Sequence, residues 1–261
     1  MKLGVVPFMN LKPLVGMYER GGQSGVELIQ RPPSGLLSLL QNGEVEGSFL
    51  ASVDYLRHRK SLILVPRFGV ATRGRVASVL LLCDKPLEEV SRIVVDNRSV
   101  TSTAMLRVLL YHKFRLWPEV VEGDITQHPR VEALMVIGDN ALQGKWDYPH
   151  VYDIGQEWTE WSGMPFIFGV FAVREEKQVK PVEDLLEKGW DWCSEHWEEI
   201  IEAESRRTGV PPDKVRSYLQ ENIRYELTTV EYEGLNYFGE LLPAVEALDQ
   251  EVKTRAQCKE G

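Results

Sequence analysis

Short apolar, often β-branched runs recur along the chain. Most end in a turn signal and lead into apolar residues at helical spacing. Lys2 to Val6 reads as a first strand, and Pro7-Phe8-Met9-Asn10-Leu11-Lys12-Pro13-Leu14 turns out of it into a short helix. Val26 to Gln30 predicts a second strand, stopped by Arg31-Pro32-Pro33. Ser34 is then expected to cap a helix with Leu36, Leu37 and Leu40 on one face, ended by Asn42-Gly43. Gly47-Ser48-Phe49-Leu50 predicts a third strand with a helix starting at Ser52, and Ile63 to Val65 and Val76 to Cys83 predict two more.

Asp84-Lys85-Pro86-Leu87 interrupts this series, and a second begins. Its expected strands are Ile93–Val95, Val120–Glu122, Ala133–Ile137, His150–Asp153 and Phe166–Val173. Asp96-Asn97-Arg98-Ser99-Val100-Thr101-Ser102-Thr103 reads as a hydroxyl-rich turn opening a helix with Leu106, Leu109, Leu110 and Phe114. Asp139 is expected to cap a helix after Ala133–Ile137. This alternation implies a parallel-rich α/β layer.

After Val173 the pattern becomes helical. Asp184 to Ser205 carries Leu185, Leu186, Trp190, Cys193, Trp197, Ile200 and Ile201, and Asp213 to Ile223 forms a shorter helix. Thr228 and Glu231 form a capping box for a last helix with Leu235, Phe238, Leu242 and Val245. The tryptophans read as packing residues. A tail without strands most economically packs back on the first series. The expected architecture is therefore two α/β lobes around a cleft, residues 1–82 with 175–261 and residues 83–174. The chain would cross between them at Cys83–Lys85 and Phe171–Arg174.

Composition narrows the function classes. With 261 residues, 43% hydrophobic and 26% charged, the chain is an ordinary globular sequence without a run long enough to span a membrane. The start of the chain enters a strand directly, with no apolar segment and cleavage site. The three cysteines, Cys83, Cys193 and Cys258, are far apart and show no metal-ligand or disulfide spacing. These features predict a reduced, cytoplasmic compartment. A net charge of −9 disfavours a nucleic-acid partner but permits a small anion held by local donors. Oligomeric state is not legible.

The predicted topology aims Asn10, Ser34, Ser52 and Ser78 at the cleft from one lobe, and Thr101, Ser102, Thr103 and Asp139 from the other. Asn10 is either a ligand group at a strand end or a turn former between prolines. Ser78, inside an apolar run, bonds backbone or faces the cleft. The Thr101–Thr103 turn is an anion cradle or an ordinary cap. Arg57-His58-Arg59-Lys60 reads as a solvated helix end. None of His58, His112, His128, His150 and His196 stands at a strand end beside an orienting carboxylate.

Several segments occur in a telling order: Asn10-Leu11-Lys12-Pro13-Leu14, Gly74-Arg75-Val76-Ala77-Ser78-Val79, Asp96 to Ser102, Ile137-Gly138-Asp139-Asn140-Ala141-Leu142, and Glu157-Trp158 with Gly163-Met164-Pro165-Phe166. As a set they resemble the chorismate dehydratase family of the futalosine route to menaquinone, over about residues 2–175, while the tail agrees in kind only. The resemblance implies a periplasmic-binding-protein-like type II fold. It implies dehydration of chorismate to 3-[(1-carboxyvinyl)oxy]benzoate without metal or organic cofactor. It puts Asn10 and Ser78 nearest the reacting ring, as the catalytic pair, and a substrate carboxylate at Thr101–Thr103. One departure is Phe8-Met9-Asn10, where the family usually has Tyr-Leu-Asn. The sister 1,4-dihydroxy-6-naphthoate synthase is expected to carry a His-Glu-Gly motif where this chain reads Val136-Ile137-Gly138-Asp139, which favours the dehydratase. Neutral Asn and Ser are poor bases, so the expected chemistry is substrate-assisted, with Asp139 the only well-placed acid. The competing classes are a small-carboxylate binding protein and a ligand sensor, the latter without a DNA-binding segment.

Overall fold

The computed structural model describes residues 1–20, 25–96, 100–123, 131–144 and 146–257, with side chains inside the last helix described to residue 248. The Asn97-Arg98-Ser99 part of the hydroxyl-rich turn, His128 and Cys258 lie outside the described residues.

In chain order, β1 (Lys2–Val5) leads into α1 (Lys12–Glu19), β2 (Glu27–Gln30) into α2 (Pro33–Asn42), and β3 (Gly47–Ala51) into α3 (Ser52–His58). Next come β4 (Ile63–Thr72), β5 (Val79–Cys83), β6 (Arg92–Asp96), α4 (Val100–Leu109) and β7 (Glu119–Gly123). Then follow β8 (Ala133–Ile137), α5 (Gly138–Gln143), β9 (His150–Asp153), α6 (Ile154–Ser162) and β10 (Phe166–Val173). The tail holds α7 (Val179–Glu195), α8 (Trp197–Thr208), α9 (Pro212–Ser217), β11 (Arg224–Glu226) and α10 (Thr229–Gln257).

Two sheets result, one ordered β11-β4-β10-β3-β1-β2 and the other β7-β6-β8-β5-β9. Both are mixed. In the first, β1 pairs parallel with β2 and β3, while β10 is antiparallel to β3 and β4. In the second, β6 pairs parallel with β7 and β8, while β5 is antiparallel to β8 and β9.

Sheet membership corrects the expected crossings. Val79–Cys83 belongs to the second sheet and Phe166–Val173 to the first. The chain therefore passes between the sheets at residues 73–78 and 163–165, not at Cys83–Lys85 and Phe171–Arg174. An apolar run bounded by turns announces a strand, but its partner is chosen by non-local pairing. The tail is also not purely helical, because β11 joins the edge of β4 in the first sheet.

Helix α7 lies along α1 and β4. A Cβ on Gly189 would stand 2.0 Å from the Leu14 carbonyl oxygen, so only glycine permits this approach of the two backbones. Trp190 and Trp197 pack edge to face at 6.0 Å against the core, as packing residues should. Trp158 of α6 is fully buried beside Phe166 and Phe238, and its indole N–H donates to the Pro165 carbonyl at 3.2 Å. That cluster joins the second crossing to both α6 and α10. The glutamate half of the capping box at Thr228 is present: Glu231 reaches back to accept from the Thr228 N–H at 2.8 Å and its hydroxyl at 2.6 Å, while that hydroxyl meets the Val230 N–H at 3.4 Å.

Glu132 anchors the connection between β5 and β6. Its carboxylate accepts from Lys85 at 2.9 Å, the Ser91 N–H at 2.9 Å and the Ser91 hydroxyl at 2.8 Å. Lys85, and then Ser91, hold the carboxyl down to about 2. The folded state thus binds this proton less readily than the unfolded chain. The resulting stability is complete above the ordinary value of 4.5 and is lost as pH falls from there toward about 2. Thermal melts across that window should show Glu132→Gln with a flatter pH dependence than the wild type. Parallel curves would mean that the carboxylate does not stabilise this connection.

Candidate active site

A mainly apolar cavity lies where the two sheets face each other. It is walled by Val6, Phe8, Asn10, Pro33, Phe49 and Ala51 from the first sheet's elements, and by Val76, Ser78, Val79, Val100, Thr101, Ser102, Ile137 and Gly138 from the crossing and the second sheet, with Phe168 and Ile223 completing it. The polar side chains on this wall are Asn10, Ser78, Thr101 and Ser102. Among the described lining residues none is charged or titrates near neutrality.

Asn10 sits in the short turn Met9–Leu11 between β1 and α1, at the C-terminal end of a central parallel strand. This is where open α/β sheets put ligands. Its Oδ1 is buried and meets no hydrogen-bond partner in the protein. A buried amide oxygen left so costs about 1–3 kcal/mol, a cost that a bound donor would remove.

Ser78 is 5% exposed and immediately precedes β5. Its backbone carbonyl accepts from the Gly138 N–H at 2.7 Å, which ties it to the start of α5. Its hydroxyl oxygen accepts from the Tyr218 phenol at 3.1 Å. The preceding residue, Ala77, has φ of 61°, a left-handed backbone that costs a residue with a Cβ about 1–2 kcal/mol. Asp153 at the N-terminus of α6 holds this kink. Its carboxylate accepts from the Val76 N–H at 3.0 Å, the Ala77 N–H at 2.7 Å and the Gln156 N–H at 3.1 Å.

Thr101 and Ser102 form the first turn of α4 and are 4% exposed each. The Thr101 hydroxyl accepts from the Val53 N–H at 3.4 Å, so α4 meets α3 across the cleft. The structure thus brings Asn10, Ser78, Thr101 and Ser102 to one cavity.

The other predicted site residues lie off its wall. Ser34 is exposed: α2 already begins at Pro33, so Ser34 is inside the helix and not its cap. One residue rotates a helix by about 100°, which puts Pro33 on the cavity and Ser34 away from it. Ser52 is the first residue of α3 rather than its cap, and its buried hydroxyl donates to the Ile167 carbonyl at 2.6 Å. Thr103 is half-buried and does not line the cavity. Asp139 lies inside α5 and caps nothing. Its carboxylate pairs with Arg207 of α8 at 2.8 Å, so it faces the tail.

The described histidines also lie off the cavity. His58 and His196 each set Nδ1 against a carbonyl four residues back, at 2.9 and 2.7 Å. His112 stacks on Trp161 with centroids 5.9 Å apart, and burial lowers its pKa. Burial pushes the Cys83 and Cys193 thiols up to about 12, which leaves both unreactive.

Two residues that sequence reasoning missed organise the site. Asp153 reads locally as an ordinary strand end, and Tyr218 lies in a tail helix without a motif. Tyr218 begins a π-helical turn, Tyr218–Asn222, that is fastened to the first crossing. The Thr72 hydroxyl donates to the Asn222 carbonyl at 2.9 Å, and the Asn222 amide donates to the Arg75 carbonyl at 3.2 Å. Further contacts join tail to second sheet: Gln143 donates to the Thr208 carbonyl at 3.1 Å and Lys214 to the Leu142 carbonyl at 3.0 Å. The tail therefore packs on both sheets, not on the first alone.

Comparison with known proteins agrees with this architecture. The chain is 32% identical to a chorismate dehydratase of Thermus thermophilus, over 92% of this chain and 94% of that protein. It is 24% identical to a chorismate dehydratase of Campylobacter jejuni, over 91% and 96%. Among solved structures, a protein of Archaeoglobus fulgidus superposes with a TM-score of 0.75 at 17% identity, covering 93% of this chain and 96% of that one. The periplasmic aliphatic sulphonate binding protein of Escherichia coli gives 0.65 at 14%, covering 95% and 92%. At such identities these structures speak to the fold, which is periplasmic-binding-protein-like. Among the described residues no helix is long and apolar enough to cross a membrane. The menaquinone biosynthesis family profile matches residues 1–244, so cavity, fold and sequence converge: the chain belongs to the menaquinone biosynthesis family.

Proposed function

We propose that this chain is a chorismate dehydratase, converting chorismate to 3-[(1-carboxyvinyl)oxy]benzoate and water. The observation that carries this reading is a cavity whose polar side chains, among the described lining residues, are all neutral: Asn10, Ser78, Thr101 and Ser102 on an otherwise apolar wall. The relatives named chorismate dehydratase support it. Such a wall suits a reaction that needs positioning and hydrogen bonding rather than an enzymic base.

Chorismate is a dianion with an allylic hydroxyl on a cyclohexadiene, and loss of water makes the ring aromatic. The step is strongly downhill, so the protein's tasks are to hold one conformer and to stabilise the departing oxygen. In this reading a substrate carboxylate lies at the first turn of α4, where the helix dipole and the Thr101 and Ser102 hydroxyls face it. Asn10 and Ser78 contact the leaving hydroxyl. The enolpyruvyl carboxylate takes the ring proton, the C–O bond breaks, and that proton leaves with the hydroxide as water. Asp139 has no part in proton transfer, since it is committed to Arg207.

The test is to mix purified protein with chorismate in buffer without added metal and follow the ultraviolet spectrum and the products. An enolpyruvyl-substituted benzoate is the expected result. Unchanged chorismate that nonetheless raises Tm would make the protein a carboxylate binder and overturn the enzymatic reading.

A further inference from the structure

The geometry points to Tyr218 as a positioning residue of this site: its phenol donates to the Ser78 oxygen and thereby turns the Ser78 hydroxyl hydrogen into the cavity. The inference rests on the dehydratase reading above and assigns a task to a residue outside the cavity wall.

A serine hydroxyl has one hydrogen to give and lone pairs to accept with. At Ser78 the acceptor side is occupied by the Tyr218 O–H, at 3.1 Å. Tyr218 is 2% exposed and lies behind Ser78, facing the opposite side of the crossing, beside Arg75 and Ala77. Ser78 itself faces the cavity. With its oxygen engaged from behind, its own hydrogen is free to point forward, at whatever oxygen occupies the cavity. The Asn10 side chain also interacts with the same phenol, while its Oδ1 stays without a partner. Asn10 and Ser78 are thus joined through one buried phenol, which aligns their polar groups and polarises the Ser78 O–H.

The phenol is suited to remain a donor. Burial holds its proton well above the ordinary value for tyrosine, so it stays neutral across any working pH. Its backbone is fixed as well. The π-helical turn it begins is fastened to Thr72 and Arg75, on either side of the crossing's glycine. Turns of this kind are frequent at functional sites. In catalysis Tyr218 exchanges no proton with substrate. It keeps its hydrogen, and its effect passes through the Ser78 hydrogen bond to the departing oxygen.

Tyr218→Phe removes one oxygen and preserves the ring's packing. Four proteins should be measured on chorismate: wild type, Tyr218→Phe, Ser78→Ala and the double variant, each with its Tm. The expected result is a fall in kcat of about tenfold for Tyr218→Phe, with KM within about twofold. On the Ser78→Ala background the same change should lower kcat no further, because the hydroxyl through which it acts is gone. Equal losses on both backgrounds would mean that the phenol acts through a group other than the Ser78 hydroxyl, with Asn10 the nearest such partner, and would overturn the inference. Wild-type activity in Tyr218→Phe would overturn it too. If the wild type itself fails to convert chorismate, it is the functional reading that falls, so the two failures are distinguishable.

Discussion

Ser78→Ala is expected to lower kcat for chorismate dehydration about 10²–10³-fold, with KM changed less than about threefold. Among the described lining residues of the cavity the polar side chains are neutral, so Ser78 is one of few donors there for a developing negative charge on the departing oxygen. Removing one such donor from a buried site leaves the transition state without a partner that the substrate needs far less. Alanine fits without strain, because the hydroxyl contacts Tyr218 and the cavity and supports no backbone hydrogen bond. It does, however, leave the buried Tyr218 O–H without its acceptor, at a cost of about 1–3 kcal/mol, so Tm should fall by about 2–10 °C. Asn10→Ala should resemble it in kcat, and with the unpartnered buried oxygen gone it should not destabilise the apo protein. Steady-state kinetics of both variants, beside their melts, are the check. A Ser78→Ala enzyme within a few-fold of wild type would show that the hydroxyl is not at the reacting end of the cavity.

The largest stability loss is expected at Asp153. Its carboxylate, 8% exposed, receives three backbone N–H groups from two elements, the crossing and α6. Two of them belong to the kink at Val76 and Ala77, and the third opens α6. Asp153→Ala strands all three and removes the group that compensates the left-handed backbone of Ala77. At about 1–2 kcal/mol for each of the three donors, the expected loss is about 3–6 kcal/mol, or a fall in Tm of roughly 10–15 °C. Activity should fall as well, since Ser78 follows directly on that kink. Asp153→Asn retains one acceptor oxygen and should lie between the two in both measurements. Loss of activity with an unchanged Tm would mean that the carboxylate acts in the cavity and not as the brace of the crossing.

Much of the site was legible from local pattern. Asn10 directly follows a predicted strand, Ser78 stands alone in an apolar run, and Thr101 with Ser102 opens a helix; all three signals are short-range. The structure puts all of these residues on one cavity. Ser34, Ser52 and Asp139 carried the same kind of signal and were misread as caps, Ser52 by one position and Ser34 and Asp139 by two. Each is inside its helix, not before it, and helix starts are poorly determined by propensity alone. Tyr218 gave no signal of any kind. It reaches Ser78 across 140 residues of sequence, and Asp153 reaches Ala77 across 76.

By itself the sequence determined the element series, the α/β class, the family likeness and most of the cavity's polar groups, because periodicity and turn chemistry act over a few residues. The tertiary structure alone decided which sheet Val79–Cys83 and Phe166–Val173 join and where the chain crosses. It also decided that Arg224–Glu226 becomes a strand and that a tail tyrosine stands behind the cavity serine. Those outcomes depend on which distant segment offers the better-paired edge or the buried hydrogen-bond partner, and that choice exists only once the chain has folded.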